Sequence, residues 1–94
     1  MIKRIILFQF RDSEDCIPTV REKLHSMQQV IPEILSMETG ADIVHSGRSY
    51  DMALIATFAN RKALERYDKH PYHQEVRKYI HAHRTASVSC DFEV

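Results

Sequence analysis

Two stretches of this 94-residue chain, Ile2–Phe10 and Tyr50–Phe58, are apolar on both of the faces that a β-strand presents. In the first stretch Ile6 and Phe8 fall on one face and Ile5 on the other, so the alternation gives no polar side. A strand that is apolar on both faces must be covered on both sides. The chain is therefore expected to build a sheet with one covering layer of its own and a second from elsewhere.

A helix and a second strand are predicted between these two strands. Apolar residues recur at helical spacing at Ile17, Val20, Leu24, Met27, Ile31 and Ile34. Asp12 or Ser13 is expected to cap the start of this helix, and Pro32 is expected to end or kink it. Alternation then predicts a second strand over Ala41–Ser46, joined to the third strand by a short turn at Ser46–Ser49.

The last third of the chain predicts a helix broken in two and a final strand. Asn60 is expected to cap a helix over Arg61–Lys69, which must end before Pro71. Pro71 can open a further helical segment that runs to about His83, and Thr85–Val94 alternates as the last strand. The order β-α-β-β-α-β is typical of an α+β, ferredoxin-like sandwich, with a four-stranded antiparallel sheet and the helices on one face.

The face of the sheet without helices is expected to bind a second copy of the chain. Because the first and third strands are apolar on both sides, this face is partly apolar, and an uncovered apolar face usually contacts a partner. A chain of this length also buries only about 60–65% of the surface that its unfolded form exposes. Two sheets packed face to face in a two-fold homodimer would bury the face and form a dimeric α+β barrel.

Charge and cysteine content argue against several classes of protein. Lys and Arg together number 13, as do Asp and Glu, and this zero balance favours neither nucleic acid nor a membrane surface as partner. The longest apolar run, Met52–Ala56, is far shorter than the roughly 20 residues of a membrane span, and no signal peptide is expected. Cys16 and Cys90 are too few for a disulfide framework, which predicts a cytoplasmic protein with reduced thiols. Cys90 is expected to be a small core residue of the last strand.

Titratable residues are densest in the segment Tyr67-Asp68-Lys69-His70-Pro71-Tyr72-His73. Tyr67 ends one helical segment and His73 begins the next, so both side chains could turn toward one pocket between helices and sheet. A histidine can take or give a proton at neutral pH, and a tyrosine hydroxyl can hold a carbonyl oxygen. The same pattern also fits a structural role, in which His70 caps the second segment and His73 packs under the sheet.

The histidines of this region do not have the spacing of a metal site. His81 and His83 are two residues apart and point away from each other on a helix, whereas a metal needs three or four converging ligands. Only two glycines are present, so there is no glycine-rich loop for a phosphate-bearing cofactor. Neither a metal nor a cofactor is predicted.

Five segments of the chain together match the pattern of a known domain. They are Met1–Phe10, Asp51–Phe58, Ala63–Tyr67, Tyr67–His73 and Cys90–Glu93. The most specific of them is the Tyr-x-x-His-Pro-x-His signature that begins at Tyr67. On these segments the chain resembles the stress-responsive A/B-barrel (Dabb) domain over residues 1–94. The resemblance implies one domain, a ferredoxin-like monomer and a dimer that forms an α+β barrel.

The resemblance also implies which residues form the site. One plant member of the family is a polyketide cyclase whose catalytic pair is the Tyr and the second His of the signature, which are Tyr67 and His73 here. His73 would be the general base, and Tyr67 would orient or polarise the substrate carbonyl. The residues expected to contact a ligand are Arg4, Ile6, Phe8 and His70.

The chain departs from the cyclase-like plant members at two positions. Those members carry His at the position of Arg4 and another His near the position of Met52. Arg4 would place a cation at the rim of the pocket, where it could hold a carboxylate.

Two functions remain open from the sequence. The first is a small homodimeric Dabb protein with a small-molecule pocket between sheet and helices and no assigned reaction. The alternative is an enzyme of the polyketide-cyclase-like type that uses a Tyr/His pair for proton transfer. Whether the protein is an enzyme is left open, because one fold hosts many functions. An enzyme needs a cavity of about 300 Å³ or more behind Tyr67 and His73.

Overall fold

The computed structural model describes residues 1–94 as four strands and three helices. Their order is β1 (Ile2–Phe10), α1 (Ser13–Val30), β2 (Ser36–Ala41), β3 (Met52–Phe58), α2 (Arg61–Lys69), α3 (Pro71–His83) and β4 (Arg84–Glu93). All strand pairs are antiparallel and the sheet order is β2-β3-β1-β4. The predicted α+β, ferredoxin-like architecture is confirmed. None of the three helices combines the length and the apolar character needed to cross a lipid bilayer.

The hydrophobic core lies between the sheet and the helices. Alternate residues of the two central strands point into it, among them Phe8 of β1 and Leu54 and Phe58 of β3, all of them buried. Leu24 and Met27 pack onto them from α1. The core-facing side chains of the strands, which are every second residue, therefore pack against the apolar stripe of α1, as the sequence pattern predicts.

The opposite face of the sheet carries apolar residues that nothing covers within one chain. Ile5 of β1 pairs with Ile55 of β3 on one side and with Cys90 of β4 on the other. On the same face of β4, Val88 is 49% exposed and Phe92 41% exposed. The expectation that Cys90 is a core residue is wrong for the single chain, because the apolar side of β4 faces away from the helices and Cys90 is exposed.

The second strand lies earlier in the chain than predicted. The alternating segment Ala41–Ser46 was expected to form it, but β2 ends where that segment begins. Pairing begins almost as soon as α1 ends, since the Leu35 N–H donates to the Thr57 carbonyl at 2.9 Å. An edge strand such as β2 is held by its hydrogen bonds to one neighbouring strand. Its own sequence therefore needs little apolar alternation.

The connection between β2 and β3 is a loop over residues 42–51 and not a short turn. The predicted turn does form inside it, with the Ser49 N–H donating to the Ser46 carbonyl at 3.1 Å. Ile43 and Val44, whose alternation suggested a strand, are 87% and 72% exposed in this loop. The alternation of apolar residues in this segment therefore does not indicate a strand, because both side chains are exposed to solvent and do not pair with the sheet.

Pro32 ends α1 as predicted, but two details of the helix ends differ from expectation. The helix stops before Ile31, whose extended backbone is what a residue preceding a proline favours, so Ile31 and Ile34 are buried outside the helix. Asp12 occupies the cap position, but its side chain makes no capping hydrogen bond to the helix. Its carboxylate lies 3.2 Å from Nδ1 of His83 at the end of α3 instead.

Candidate functional site

The break between α2 and α3 positions Tyr67 and His73. Pro71 disfavours helical backbone at the preceding residue, and His70 is extended with φ −64° and ψ 132°. Pro71 then starts α3, where its missing N–H costs nothing. The His70 side chain accepts a hydrogen bond from the Tyr72 N–H at 3.1 Å. His70 therefore caps α3, which was the structural alternative for this residue.

A cavity of about 330 Å³ lies between the sheet and the helices. It is lined by Arg4, Ile6, Phe8, Leu24, Met27, Leu54, Tyr67, Asp68, His73, Val76, Arg77, Ile80, His81, Arg84, Ser87 and Ser89. The structure thus brings five of the six expected site residues to one cavity and leaves out His70. The volume lies at the lower end of the range of about 300–1,000 Å³ that is usual for small-molecule sites.

Tyr67 is held in the cavity wall by its ring and not by its hydroxyl. The side chain is 2% exposed, and its ring centroid lies 4.9 Å from that of Phe58 and 4.3 Å from that of His73. No protein group forms a hydrogen bond with the hydroxyl, which keeps access to the cavity. Burial raises the pKa of Tyr67 to about 12, and the positive charge of Arg4 opposes this only in part. The phenol therefore stays protonated at neutral pH and can donate a hydrogen bond.

The contacts of His73 fix which ring nitrogen carries its proton. Nδ1 lies 3.2 Å from the backbone carbonyl oxygen of Asp68, which has no partner inside α2 and also accepts a hydrogen bond from Nε2 of Gln74 at 2.6 Å. A carbonyl oxygen only accepts, so Nδ1 carries the hydrogen and Nε2 carries the lone pair. Nε2 makes no hydrogen bond within the protein. Burial lowers the pKa of His73 below its ordinary value, which favours the neutral imidazole that a general base requires.

Arg4 lies at the rim of the cavity between two carboxylates of the protein. Its Nε donates to Asp91 at 2.7 Å, and its two terminal nitrogens donate to Asp68 at 2.7 Å and to Asp91 at 3.0 Å. Burial alone would lower the pKa of the guanidinium, but the hydrogen bonds and charges of Asp91 and Asp68 raise it overall. Most of the donors that were expected to be free for a ligand carboxylate are therefore already bonded.

Three basic residues that the sequence analysis did not assign to the site also line the cavity. They are Arg77, His81 and Arg84, spaced by four and three residues, which is the spacing of one helix face. That spacing was visible in the sequence. It was missed because Arg84 belongs to the last strand, where its helical relation to Arg77 is not expected.

Three potential metal ligands meet away from the cavity, although no metal site is predicted from the histidine spacing. The ligating atoms of Asp12, Cys16 and His83 lie within 4.8 Å of one another. Burial, reinforced by the charge of Asp12, raises the pKa of the Cys16 thiol to about 11, so the thiol stays protonated. As they stand, the Asp12 carboxylate and Nδ1 of His83 are 3.2 Å apart, and this contact ties the start of α1 to the end of α3.

Comparison with known protein families gives one match that covers nearly all of the chain. The family model of the stress responsive A/B barrel domain (Dabb) matches residues 2–94. The chain belongs to the Dabb family. Among curated protein sequences, none matches this chain significantly.

Solved structures similar to this Dabb protein share its fold over almost their whole length. A dimeric protein of unknown function from Bacteroides fragilis is 23% identical, with a TM-score of 0.88 over 99% of this chain and 95% of that one. A dimeric ferredoxin-like protein of unknown function from Thermobifida fusca is 26% identical, with a TM-score of 0.88 over 99% and 90%. The hydroxynitrile lyase from Passiflora edulis is 15% identical, with a TM-score of 0.88 over 99% and 92%. The fold thus occurs in an enzyme as well as in proteins of unknown function.

Proposed function

We propose that this Dabb protein binds a small molecule in the cavity between sheet and helices, with no assigned reaction. The observation that carries this is the Tyr67 hydroxyl, which lies in the wall of the cavity with no partner in the protein. The hydroxyl is not sealed off in the interior, because it stays in contact with the open space of the cavity. An acceptor oxygen on a ligand in the cavity could accept a hydrogen bond from this hydroxyl, and the apolar wall formed by Ile6 and Phe8 would hold the rest of the molecule.

We also propose that the protein acts as a homodimer in which the helix-free faces of two sheets pack together. The apolar pair of Ile5 and Ile55 at the centre of that face supports this, as does the partial exposure of Phe92. The similar structures from Bacteroides fragilis and Thermobifida fusca are described as dimeric. A cytoplasmic location fits the two free cysteines, since Cys16 lies in the core and Cys90 on the opposite face of the sheet.

Binding can be tested with acetophenone, a neutral molecule that has an apolar ring and one carbonyl acceptor. In ¹⁵N-resolved NMR titrations we expect the amide signals of Tyr67, His73 and Val76 to shift together. Tyr67→Phe should weaken binding, because it removes the only unbonded donor that Tyr67 offers. Tyr79→Phe is the matched control, since Tyr79 does not line the cavity. The absence of shifts at the cavity, or an equal loss in both variants, would contradict the proposal.

The alternative function is proton-transfer catalysis of the polyketide-cyclase-like type. It is favoured by one specific arrangement, in which the Nε2 lone pair of His73 lies on a ring that contacts Tyr67, a protonated donor. Nε2 would take a proton from the carbon next to a carbonyl, and the electron pair of that C–H bond would move onto the carbonyl oxygen. The Tyr67 hydroxyl would donate a hydrogen bond to this oxygen, and His73 would later return the proton.

This reaction can be tested without knowledge of the natural substrate. Pentane-2,4-dione has an acidic C–H bond between two carbonyls, and NMR in D₂O follows its exchange for deuterium. We expect the protein to accelerate exchange above the buffer rate and His73→Ala to return it to that rate. His45→Ala, in an exposed loop, is the control. Equal exchange rates for the wild type and His73→Ala would contradict the proton-transfer function and would not affect the proposal that the cavity binds a small molecule.

A further inference from the structure

The cavity runs along α3 and has different chemistry at its two ends. His73 lies in the first turn of α3 and His81 in the last, which puts them about 12 Å apart along the helix axis at 1.5 Å per residue. Near His73 are the Tyr67 hydroxyl and the Arg4 ion pairs. Near His81 are two further arginines, with apolar residues such as Ile80 between the two ends.

The arginines at the far end have no carboxylate partner. Arg77 donates from Nε to Nε2 of His81 at 3.2 Å, and a terminal nitrogen of Arg84 lies 3.3 Å from the same atom. Arg84 also donates to the Ser87 hydroxyl at 2.8 Å. Neither forms an ion pair with an acidic residue, whereas Arg4 forms two. The two positive charges are therefore uncompensated.

His81 does not neutralise these charges and is itself affected by them. Burial and the charges of Arg84 and Arg77 lower the pKa of His81, which keeps its ring neutral. The ring accepts hydrogen bonds from the guanidinium groups and holds them side by side. Two guanidinium groups converging on one point present several N–H donors to an anion, which is the arrangement that recognises carboxylate and phosphate groups.

We propose that Arg77 and Arg84 bind the anionic group of the ligand, a carboxylate or a phosphate, while the body of the ligand lies on the apolar wall and reaches Tyr67. The ligand class is thus a small organic acid or phosphate ester with an apolar middle and a hydrogen-bond acceptor at the other end. This inference rests on the proposed function of the cavity. It assigns the anion to this end because the guanidinium of Arg4 is already occupied by Asp68 and Asp91.

The test compares three probes that share one apolar ring. Benzoate carries a carboxylate, phenyl phosphate carries a phosphate, and benzamide is a neutral molecule of nearly the same shape as benzoate. NMR titration at low salt should show that one of the anions binds at least about tenfold more tightly than benzamide, because charged hydrogen bonds are about twice as strong as neutral ones. Tighter benzoate binding assigns a carboxylic acid, and tighter phenyl phosphate binding assigns a phosphate ester.

Variants of the two arginines locate the effect. Arg77→Gln and Arg84→Gln should each remove most of the preference for the anion and leave the affinity for benzamide unchanged. Arg84→Lys should retain part of it, since the charge remains but the planar fork is lost. Arg61→Gln, an exposed arginine outside the cavity, changes the net charge equally and should have no effect.

The possible failures are distinguishable. If benzamide shifts the cavity signals and the anions bind no more tightly, this inference is wrong and the cavity remains a binding site. If the preference for the anion survives in Arg77→Gln and Arg84→Gln, the anion binds elsewhere and the inference is also wrong. If no probe shifts the signals of Tyr67 or Val76, the proposed function fails together with it.

Discussion

Replacing Tyr67 by Phe removes a single oxygen atom from a nearly fully buried side chain. The ring that packs on Phe58 and His73 is retained, so the van der Waals contacts of the wall stay in place. The hydroxyl has no hydrogen-bond partner in the protein, so the substitution leaves no donor or acceptor unsatisfied. The structure therefore predicts a change in binding with almost no change in stability.

The expected changes in the free energy of unfolding differ between loss of the hydroxyl and loss of the whole ring. Tyr67→Phe should change the free energy of unfolding by less than about 0.5 kcal/mol, whereas leaving a buried partner unsatisfied would cost about 1–3 kcal/mol. Tyr67→Ala, which also removes the ring, should cost about 3–5 kcal/mol, as other large aromatic-to-alanine changes in cores do. The difference between the two variants in the free energy of unfolding measures how much the Tyr67 ring contributes to stability.

The assay is urea unfolding followed by circular dichroism at 222 nm. Protein concentration must be the same in all samples, because the stability of a dimer depends on it. A loss of more than about 1 kcal/mol in Tyr67→Phe would refute the reasoning, since the hydroxyl would then have a partner within the protein. Unchanged stability together with unchanged acetophenone affinity would show that the hydroxyl does not face a ligand.

Three other predictions follow from the sheet face, the histidine and the arginine. Ile55→Asp should convert the proposed dimer to a monomer or unfold it in sedimentation velocity runs, whereas Val44→Asp, in the exposed loop, should leave the proposed dimer intact. The NMR titration midpoint of His73 should lie below its ordinary value of about 6.5. The contribution of His73 to stability should therefore decrease as the pH falls below about 6.5, because the unfolded chain then binds a proton that the folded state disfavours. Arg4→Met should cost about 1 kcal/mol in urea unfolding at low salt, and less at high salt, because its two carboxylate partners are 43% and 36% exposed and water screens the ion pairs. A cost that does not change with salt would contradict this last expectation.

The features of the fold that depend on local chemistry could be predicted from the sequence. Asn60 caps α2 through its side-chain oxygen, which accepts from the Ala63 N–H at 2.9 Å. Pro71 separates α2 from α3 at the predicted position. Each of these signals acts within a few residues, so a reading of neighbouring residues detects it.

The features that depend on distant pairing could not be predicted in the same way. The β2 strand exists because β3 offers it hydrogen-bond partners, and its own residues carry little pattern. Arg4 and Asp91 form an ion pair although 87 positions separate them in the chain. Tyr67 and His73 could be placed together from the sequence because the break that joins them is local. The ion pairs of Arg4 with Asp68 and Asp91 could not be predicted, because they join residues far apart in the chain.

The hydrogen bond from His73 to Asp68 has a consequence for how this site tolerates sequence change. The acceptor is a main-chain carbonyl, so every residue type at position 68 supplies it equally well. The geometry that frees that carbonyl comes from the break before Pro71 and not from any neighbouring side chain. The side chain at position 68 can therefore change without removing this acceptor, although Nε2 of Gln74 also donates to it at 2.6 Å. An insertion or deletion between Asp68 and His73 would change the distance between this carbonyl and Nδ1 and would thereby break the hydrogen bond.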